Sequence, residues 1–510
     1  MKTTISLLTA VFVMAGTAAA SAEDPPDRPN FLVFLVDDMG WQDTSVDFAE
    51  ERDPINVHFR TPNMERLAQS GMKFTSAYAS SVCSPTRVSL LTGMNAARHR
   101  VTDWTLRQDG SQMRRHPSLD QPDWNYRGLS AEPGLANTVA ARTLAERLRE
   151  GGYRTVHVGK AHLGALDTPG ADPLNLGFDA NVAGHAPGGP GSYYGLHRFS
   201  ASLRQGRSYA PSVWDVPDLE QYHDQDINLT EALTREAVAE IDRAVAGGVP
   251  FFLHMSHYTV HTPIMADPRF IDHYDDLHPQ EAAYASMVEA MDKSLGDLLD
   301  RLEHHGIADT TVVLFLSDNG GLSVHSRGGP ANTHNAPLSS GKGSAREGGV
   351  RVPMLVHWPG VTPENSATDR KVIIEDWFPT LLEIAGIGLP ADLPQTLDGI
   401  SFVPLLRQEA AEYPQPRTLF WHYPHWWGPR GPGIDAYSAV RQGPWKLIYY
   451  HASRRYELFH LEDDIGETQN LAEVHEDKRR ELAAVLSKFL REVEAQMPTD
   501  RETGDVVPWP

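Results

Sequence analysis

Short apolar runs recur along this chain, and each is followed by polar or glycine-rich residues and then by a helical pattern. The runs lie at 30–36, 154–159, 250–256, 310–317 and 352–360. Because they are apolar on both faces, they are typical of buried parallel strands. Helical patterns lie between them at 63–70, 138–150, 230–246 and 281–305. This alternation predicts an α/β fold with a large mixed, mostly parallel sheet between layers of helices.

The pattern changes after about residue 390. The stretches "RTLFWHY", "SAVRQGPWKLIYY" and "YELFHL" predict antiparallel strands joined by short turns, and 475–497 predicts an amphipathic helix. We therefore predict a large domain over 23–390 and a smaller α+β subdomain with an antiparallel sheet over 391–510. The stretch 102–133 has no clear period, which predicts a long surface insertion of the kind that often carries function.

The composition is typical of a folded protein that carries a net negative charge. Its 510 residues suit one large domain plus a smaller one. The formal net charge is −22. A general nucleic-acid or anionic-membrane binder needs a basic surface, so we expect neither partner. The single cysteine, Cys83, excludes an internal disulfide.

The N-terminus has the three parts of a secretory signal peptide. Lys2 supplies the positive start, 5–14 the apolar core and Ala20-Ser21-Ala22 a small-residue cleavage site. We therefore expect residues 1–22 to be removed and the protein to be secreted or periplasmic. An N-terminal membrane anchor is the alternative, and the short apolar core argues against it.

Carboxylates follow two of the predicted strands. Asp37 and Asp38 end the first strand, and Asp318 and Asn319 end the run at 310–317. Ligand sites of open α/β sheets lie beyond the C-terminal ends of the strands. A set of oxygen ligands rich in carboxylates favours a hard divalent cation, Ca²⁺ before Mg²⁺. The alternative is that each aspartate only caps a turn.

Lysine and histidine follow other predicted strands. Lys160 and His162 come after 154–159, His257 and His261 come after 250–256, and Lys342 lies in a glycine-rich loop. Such groups beside a metal suit recognition of a tetrahedral oxyanion and proton transfer to a leaving group. Taken alone, each lysine could lie solvated on the surface, and each histidine could make a structural hydrogen bond. His261, farther into its loop than His257, is the better catalytic candidate, and His254 inside the strand is expected in the core.

Cys83 begins a short predicted helix. Pro85 suits the first turn of that helix and Gly93 its end. The helix dipole and Arg87, one turn on, are expected to lower the pKa of the thiol and make it reactive. The alternative is a buried, inert cysteine.

The segment "CSPTRVSLLTG" resembles the Cys-x-Pro-x-Arg signature of type I sulfatases, in the alkaline phosphatase superfamily. Other segments of the chain resemble further motifs of that family, and all of them stand in the family's order: "NFLVFLVDDMGW", "GYRTVHVGKAHLG", "FFLHMSHYTVHTP", "LSDNGG", "PLSSGKGSAREGGVRVP", "LDGISFVPLL" and "YELFHLEDDIGETQNLA". Ala161 and Val260 replace the Trp and Pro of the usual motifs. The resemblance covers nearly the whole mature chain and implies that 23–390 is the catalytic domain of an alkaline-phosphatase-like fold.

The resemblance also implies roles for individual residues. Cys83 is expected to be oxidised to Cα-formylglycine by a formylglycine-generating enzyme, and the hydrated aldehyde is expected to be the nucleophile. The other implied roles are Ca²⁺ binding by Asp37, Asp38, Asp318, Asn319 and an oxygen of the modified Cys83, support of the diol by Arg87, sulfate binding by Lys160 and Lys342, proton removal by His162 and protonation of the leaving alcohol by His261.

The sequence gives weaker indications of the substrate than of the reaction. The stretch "FWHYPHWWGPRGPG" at 420–433 could stack on sugar rings or could form a packed seam between domains. It resembles a segment of bacterial sulfatases that act on polysaccharide-derived sugars, so we expect a sulfated carbohydrate substrate. Arg107, Arg114, Arg115 and His116 could contact further sulfates or carboxylates, or could be plain surface. The alternatives are a phosphodiesterase or phosphonate monoester hydrolase, an aryl sulfatase without glycan specificity, and a glycan-binding protein without activity.

Overall fold

The computed structural model describes residues 28–50, 53–112, 114–323, 327–390, 393–428 and 430–510. The predicted signal peptide, 1–22, lies outside the described residues. The strands are β1 Asn30–Val36, β2 Met72–Phe74, β3 Ala77–Tyr78, β4 Leu119–Asp120, β5 Gly128–Ser130, β6 Thr138–Ala140, β7 Arg154–Gly159, β8 Ala180–Val182, β9 Phe251–Ser256, β10 Thr311–Ser317, β11 Arg351–Val352, β12 Met354–His357, β13 Ser366–Thr368, β14 Val372–Ile373, β15 Thr418–Tyr423, β16 Tyr437–Gln442, β17 Trp445–Tyr450, β18 Tyr456–His460 and β19 Thr499–Asp500. The α-helices are α1 Pro62–Ser70, α2 Cys83–Thr92, α3 Ala96–His99, α4 Leu144–Glu150, α5 Ala201–Arg204, α6 Leu229–Gly247, α7 Pro279–His304, α8 Glu347–Val350, α9 Trp377–Ile384, α10 Val403–Leu406 and α11 Glu476–Glu492.

An eight-stranded sheet forms the centre of the molecule, in the order β13-β2-β12-β10-β1-β9-β7-β8. The five strands β10, β1, β9, β7 and β8 are parallel to one another. Strands β1 and β10 pair along their full length, from Asn30 opposite Thr311 to Val36 opposite Ser317. The C-terminal ends of these strands therefore lie side by side. The predicted mostly parallel sheet is confirmed.

Helices cover both faces of this sheet, as predicted. Phe31, Val33 and Leu35 of β1 join an apolar core with α2, α4 and α9. The alternate residues of β1 join a second core with α1, α6 and α7. Because every residue of β1 after Asn30 is buried, the strand reads as a continuous apolar run, as central strands of α/β sheets do.

Two predicted elements differ from the structure. The strand predicted at 352–360 is β12, which runs antiparallel to β10. A parallel return would need a long crossover, usually a helix, and the only α-helix described between β10 and β12 is the four-residue α8. The helix predicted at 138–150 begins at Leu144, because Thr143 and Glu146 form a capping box, and 138–140 is strand β6.

The four C-terminal strands form an antiparallel sheet in the order β15-β16-β17-β18, as predicted. Trp421 and Ile448 join the core beneath α2, whereas Val440 and Leu447 on the other face pack with α11. The small sheet is thus fixed against the large unit by apolar contact. The division of the chain at residue 390 stays a prediction.

Buried charges also join the two units. Glu347, at the start of α8, accepts hydrogen bonds from Tyr78 Oη at 2.7 Å and from Lys446 Nζ of β17 at 2.9 Å. Lys446 also lies 3.1 Å from Glu467. Since an unpaired buried charge is costly, these contacts tie the start of α8 to the C-terminal sheet.

The stretch 102–133 is less exposed than predicted. Asp103 and Trp124 are buried, β4 pairs with the C-terminal strand β19, and β5 pairs with β6. The prediction of a plain surface insertion is therefore wrong for its two ends, because both are packed into the protein. Among the described residues, no helix combines the length and the hydrophobicity needed to cross a bilayer.

Candidate active site

Seven polar or charged side chains meet where the parallel strands end. Asp37 and Asp38 follow β1, Asp318 and Asn319 follow β10, and Lys160 follows β7. Cys83 and Lys342 reach the same point from α2 and from the loop before α8. All of them are buried, at 0–4 % exposure. The sheet topology therefore brings the predicted metal ligands and both predicted lysines to one place.

The carboxylates and the amide contact one another directly. Asn319 Nδ2 donates to Asp38 Oδ1 at 2.8 Å, and the Asp38 backbone N–H donates to Asp318 Oδ1 at 3.2 Å. Asp38 adopts a left-handed conformation with φ of 60°. This turn is sharp enough to aim two consecutive aspartates into one site.

The donor set fits a hard divalent cation. One ligand atom from each of Asp37, Asp38, Cys83 and Asp318 lies within 4.8 Å of the others. In the described part of the chain, Asp38 Oδ2 and Asn319 Oδ1 are buried and form no hydrogen bond. Buried oxygens without a donor are unfavourable unless a cation or water binds them. Three carboxylates and an amide oxygen favour Ca²⁺ over a soft metal.

Cys83 is the first residue of α2, as predicted, and Gly93 ends the helix in the left-handed conformation. Its Sγ lies 3.6 Å from Asp37 Oδ1 and 3.3 Å from Lys342 Nζ. The expectation of a lowered thiol pKa is wrong. Burial and the nearby carboxylate of Asp318 raise the pKa of Cys83 to about 12, against the effect of the two lysines. The unmodified thiol is thus protonated at neutral pH.

Arg87 lies one turn into α2 and fixes the base of the site. Its Nε and Nη2 donate to Asp318 Oδ2 at 3.0 and 2.8 Å. Its Nη1 donates to the Lys160 carbonyl at 2.9 Å and to Ser256 Oγ at 2.6 Å. A guanidinium with several fixed donors suits this bridging position better than an ammonium group would. Arg87 thereby connects α2 with the ends of β10, β7 and β9.

The two lysines pair with the two consecutive aspartates. Lys160 Nζ lies 2.6 Å from Asp37 Oδ2, and Lys342 Nζ lies 2.6 Å from Asp38 Oδ1. Burial raises the pKa of Asp37 well above its ordinary value, although Lys160 opposes this. Burial also acts to raise the pKa of Asp38, but Lys342, His261 and Lys160 hold it below its ordinary value. Positive charge in the site therefore keeps Asp38 ionised.

The two candidate catalytic histidines have opposite tautomers, assigned from their hydrogen bonds. His162 Nε2 lies 3.0 Å from the Thr105 carbonyl, so Nε2 carries the hydrogen and the buried Nδ1 is an acceptor. His261 Nδ1 lies 2.7 Å from the Thr262 carbonyl, so its free lone pair is on Nε2, 3.8 Å from Asp38 Oδ2. Burial and then Lys342 lower the pKa of His261 to about 3. Both rings are neutral at physiological pH before substrate binds.

His257 and His254 are structural residues. His257 Nε2 lies 2.9 Å from Ser294 Oγ, and its ring packs against Phe34. His254 lies in β9, with Nδ1 3.2 Å from Nδ1 of the buried His157. Neither lines the cavity of the site. The interpretation of His254 as a core residue is confirmed, and His257 is separated from the site.

A cavity of about 340 Å³ opens above the site. Cys83, His162, His261 and Lys342 line its deep part. Lys160 is fully buried and does not line it. The residues that the sequence reasoning did not find are contributed by separate segments: Trp104, Gln112, Gly188 and Trp214. No local pattern marks their convergence, since it depends on how distant loops pack.

Two glycines hold the candidate histidines in place. A Cβ on Gly188 would lie 2.2 Å from His162 Cε1, and a Cβ on Gly189 would lie 2.7 Å from His261 Nδ1. The backbone of this turn therefore contacts both imidazole rings directly. The glycine-rich stretch "APGGPGS" is the signal that could have revealed it.

The aromatic stretch at 420–433 has two different environments. Trp421 and Tyr423 belong to β15 and are buried, with Trp421 Nε1 donating to the Ala79 carbonyl and Tyr423 Oη to Asp103. Trp427 instead lines the cavity, with Lys342 Nζ 5.5 Å from its ring centroid. The stretch is thus a packed seam at its start and a site wall farther on.

The charged residues of the 102–133 stretch that could contact an anionic group also lie in different places. Arg114 lines the cavity, whereas Arg107 and Arg115 are exposed outside it. His116 is buried and lies 3.0 Å from Asp435, away from the cavity. Only Arg114 of this group can contact a molecule held in the cavity.

Family models cover nearly all of the described chain. A model described as Sulfatase matches residues 29–387, and one described as N-sulphoglucosamine sulphohydrolase, C-terminal, matches residues 342–496. The chain is similar to a protein named Sulfatase from Formosa agariphila, with 30% identity covering 93% of this chain and 90% of that protein. It is also 30% identical to the N-acetylgalactosamine-6-sulfatase of Canis lupus familiaris, covering 91% of this chain and 79% of that protein.

Solved structures resemble the fold over similar lengths. Ps i-CgsB has a TM-score of 0.72 and 28% identity, covering 91% of this chain and 93% of that chain. A second structure is titled as Ps i-CgsB in complex with k-i-k-neocarrahexaose, with a TM-score of 0.71 and 26% identity, covering 94% and 95%. The phosphonate monoester hydrolase of Agrobacterium radiobacter, at 20% identity, covering 93% and 100%, and a TM-score of 0.59, shares the fold alone.

Proposed function

The chain belongs to the sulfatase family and is a sulfuric ester hydrolase, and from this premise we propose that its substrate is a sulfated carbohydrate. We further propose that Cys83 acts after conversion to Cα-formylglycine. The proposed Ca²⁺ ligands are Asp37, Asp38, Asp318, Asn319 and the modified residue at 83. The observation that carries the assignment is the convergence of Cys83, the carboxylates and the two lysines at the ends of β1 and β10.

A bound cation and a formylglycine at position 83 would each supply a chemical function that the unmodified side chains lack. The cation would supply positive charge beside the sulfate oxygens, and the formylglycine would supply the oxygen nucleophile. The unmodified thiol is poorly suited to attack, because burial keeps its pKa at about 12. This supports a role for Cys83 as a precursor.

Lys342 is the cation that meets the sulfate group from the cavity. It lines the cavity, and its Nζ lies between Cys83 Sγ and Asp38 Oδ1. Lys160 and Arg87 act from below, by holding Asp37 and Asp318 in place. A sulfate ester would thus enter a site with fixed donors and no described acidic side chain on the cavity wall, which favours charge stabilisation in the transition state.

The tautomers support the proposed proton transfers. His162 has its free lone pair on Nδ1, so Nδ1 would accept a proton once residue 83 carries a hydroxyl. His261 has its free position on Nε2, beside Asp38, so Nε2 carries the proton that is given to the leaving alcohol. His261 is neutral without substrate. It therefore takes up its proton with the anionic ester, whose negative charge favours the imidazolium.

The walls of the cavity support a carbohydrate as the alcohol. Trp104, Trp214 and Trp427 surround the space above the sulfate position. The face of an aromatic ring is electron-rich and suits the C–H face of a sugar. The names of the relatives agree with this class, since one is an N-acetylgalactosamine-6-sulfatase and one structure holds k-i-k-neocarrahexaose. The predicted export from the cytoplasm would place the enzyme where polysaccharides are found.

Sulfate release measured by ion chromatography tests the proposal. The panel contains N-acetylgalactosamine 6-sulfate, sulfated galactans, 4-nitrophenyl sulfate and the matching phosphate and phosphonate esters. We expect release from a sulfated sugar by the wild type and none by Cys83→Ala. Faster phosphate or phosphonate release would overturn the proposal. If nothing is released, the mass of the peptide 74–87 separates an unconverted cysteine from a wrong choice of substrate.

A further inference from the structure

The rim of the cavity carries a cation that the proposed reaction does not use. Arg114 lines the cavity and is exposed. In the described part of the chain it forms no ion pair, and no carboxylate lines the cavity. Its carbonyl accepts a hydrogen bond from Gln121 Nε2 at 3.3 Å. A chain with a net charge of −22 thus presents an unpaired guanidinium to whatever occupies this cavity.

The position of Arg114 depends on a glycine beside the aromatic wall. A Cβ on Gly428 would lie 2.9 Å from Arg114 Cδ and 3.2 Å from its Nη1. Gly428 has φ of 98°, a conformation that other residues rarely adopt. The stem and head of Arg114 therefore lie along this turn, next to Trp427. Packing sets where the guanidinium lies, although its surface is exposed.

Trp427 lies near Lys342 and precedes the glycine against which Arg114 lies. A Cβ on Gly343 would lie 2.6 Å from Trp427 Cγ, and Lys342 Nζ lies 5.5 Å from the ring centroid. Trp427 is followed in the sequence by Gly428, and the side chain of Arg114 lies against that glycine. A sugar lying on this ring with its ester at Lys342 would place its other substituents toward Arg114.

We propose that Arg114 is a specificity residue that binds a second anionic group, a sulfate or a carboxylate, on the sugar whose ester is cleaved or on its neighbour. The proposal rests on the proposed function. A guanidinium offers paired N–H donors that match the oxygens of either group. It also compensates locally for the negative field of the protein, which would otherwise repel a doubly charged ligand.

Binding measured without turnover tests this site. Isothermal titration calorimetry on Cys83→Ala protein with Ca²⁺ compares N-acetylgalactosamine 6-sulfate with N-acetylgalactosamine 4,6-disulfate. A second arm compares a disaccharide of N-acetylgalactosamine 6-sulfate and glucuronic acid with the same disaccharide reduced at the carboxylate. The two arms distinguish a sulfate from a carboxylate as the second anion.

We expect at least one arm to show about ten-fold tighter binding of the doubly charged ligand. Arg114→Gln in the same background brings that ratio close to one, and Arg114→Lys keeps part of it. Arg115→Gln is the matched control, because it removes the same charge from the next residue, outside the cavity. Added salt reduces the ratio for the parent protein, since the site is at the rim.

A ratio that is unchanged by Arg114→Gln, or lost equally in Arg115→Gln, would overturn the assignment. A ratio near one in both arms for the parent protein would also overturn it. If the converted wild type released no sulfate while the binding ratio persisted, the proposed function would fail and the anion site at Arg114 would stand. The two claims are thus tested separately.

Discussion

Lys342 Nζ lies 2.6 Å from Asp38 Oδ1, and the other oxygen of the same carboxylate forms no hydrogen bond in the described part of the chain. The ammonium group comes from the loop before α8, whereas the carboxylate ends β1. One oxygen is therefore held by the protein and the other is left for a cation. Asp38 thus connects Lys342, the proposed sulfate-binding lysine, to the proposed metal site.

We expect Asp38→Asn to abolish the response of the protein to Ca²⁺. The substitution removes the charge of a carboxylate whose Oδ2 accepts no hydrogen bond from the described residues, and hard cations need charged oxygen ligands. In differential scanning fluorimetry, Ca²⁺ raises the Tm of the wild type and EDTA lowers it, whereas the variant responds to neither. Asp292→Asn is the control, because Asp292 binds Asn63 and the start of α1 outside the site. A Ca²⁺-dependent Tm in Asp38→Asn would contradict the metal assignment.

His261→Ala should slow the hydrolysis of esters with poor leaving groups more than that of esters with good leaving groups. The imidazole Nε2 is proposed to protonate the departing alcohol, and such proton transfer contributes roughly 10²- to 10⁴-fold. We expect a loss of that order in kcat for a sugar sulfate and a much smaller loss for 4-nitrophenyl sulfate. The control is His257→Ala, since His257 binds Ser294 behind β9. It should lower the Tm and leave the leaving-group dependence intact. Equal dependence in the two variants would refute the choice of His261.

Gly188→Ala should lower kcat without unfolding the protein. The added Cβ would lie 2.2–2.8 Å from the ring atoms of His162, so the imidazole must move away from position 83. We expect a fall of about 10²-fold, as a misplacement of about 1 Å can cause. Gly388→Ala is the matched control, because a Cβ at this glycine would have no neighbouring atom within 4 Å. If kcat were unchanged at position 188, the proposed position of His162 would be wrong.

Acid should destabilise the protein through its buried histidines. Burial lowers the pKa of His422 from 6.5 to about 4, and its two ring nitrogens bond to Ser438 and the Gln496 carbonyl. Because the folded form binds the proton more weakly than the unfolded form, stability is complete above pH 6.5 and falls as pH drops toward 4. The contribution of one such group is about 3 kcal/mol. The buried neighbours His425 and His451 act in the same direction.

Urea unfolding at pH 7 and pH 4.5 measures this effect. We expect His422→Gln to lose less stability between the two pH values than the wild type does. His304→Gln, at an exposed position, should keep the wild-type difference. An unchanged pH dependence in His422→Gln would contradict this account, because it would show that folding does not lower the pKa of this histidine.

Local patterns in the sequence determined the strands of the central sheet, the α/β class and the strand-end positions of the proposed metal ligands. Continuous apolar runs indicate strands that are buried on both faces. Because the C-terminal ends of parallel strands lie at the same edge of a sheet, Asp37 and Asp318 could be placed together from sequence. The start of α2 at Cys83 and its end at Gly93 also follow from local helix signals. The family resemblance rested on such contiguous motifs, and the comparisons confirmed it.

Only the tertiary structure decided what depends on distant segments. The antiparallel direction of β12 depends on how the segment between β10 and β12 packs, and the high pKa of Cys83 follows from burial beside carboxylates that come from the ends of β1 and β10. The separation of His257 from the site depends on Ser294 in α7. Trp214 and Arg114 reach the cavity through loop packing that has no period in the sequence. Burial and charge are sums over the whole neighbourhood of a residue, and that neighbourhood exists only after the chain has folded.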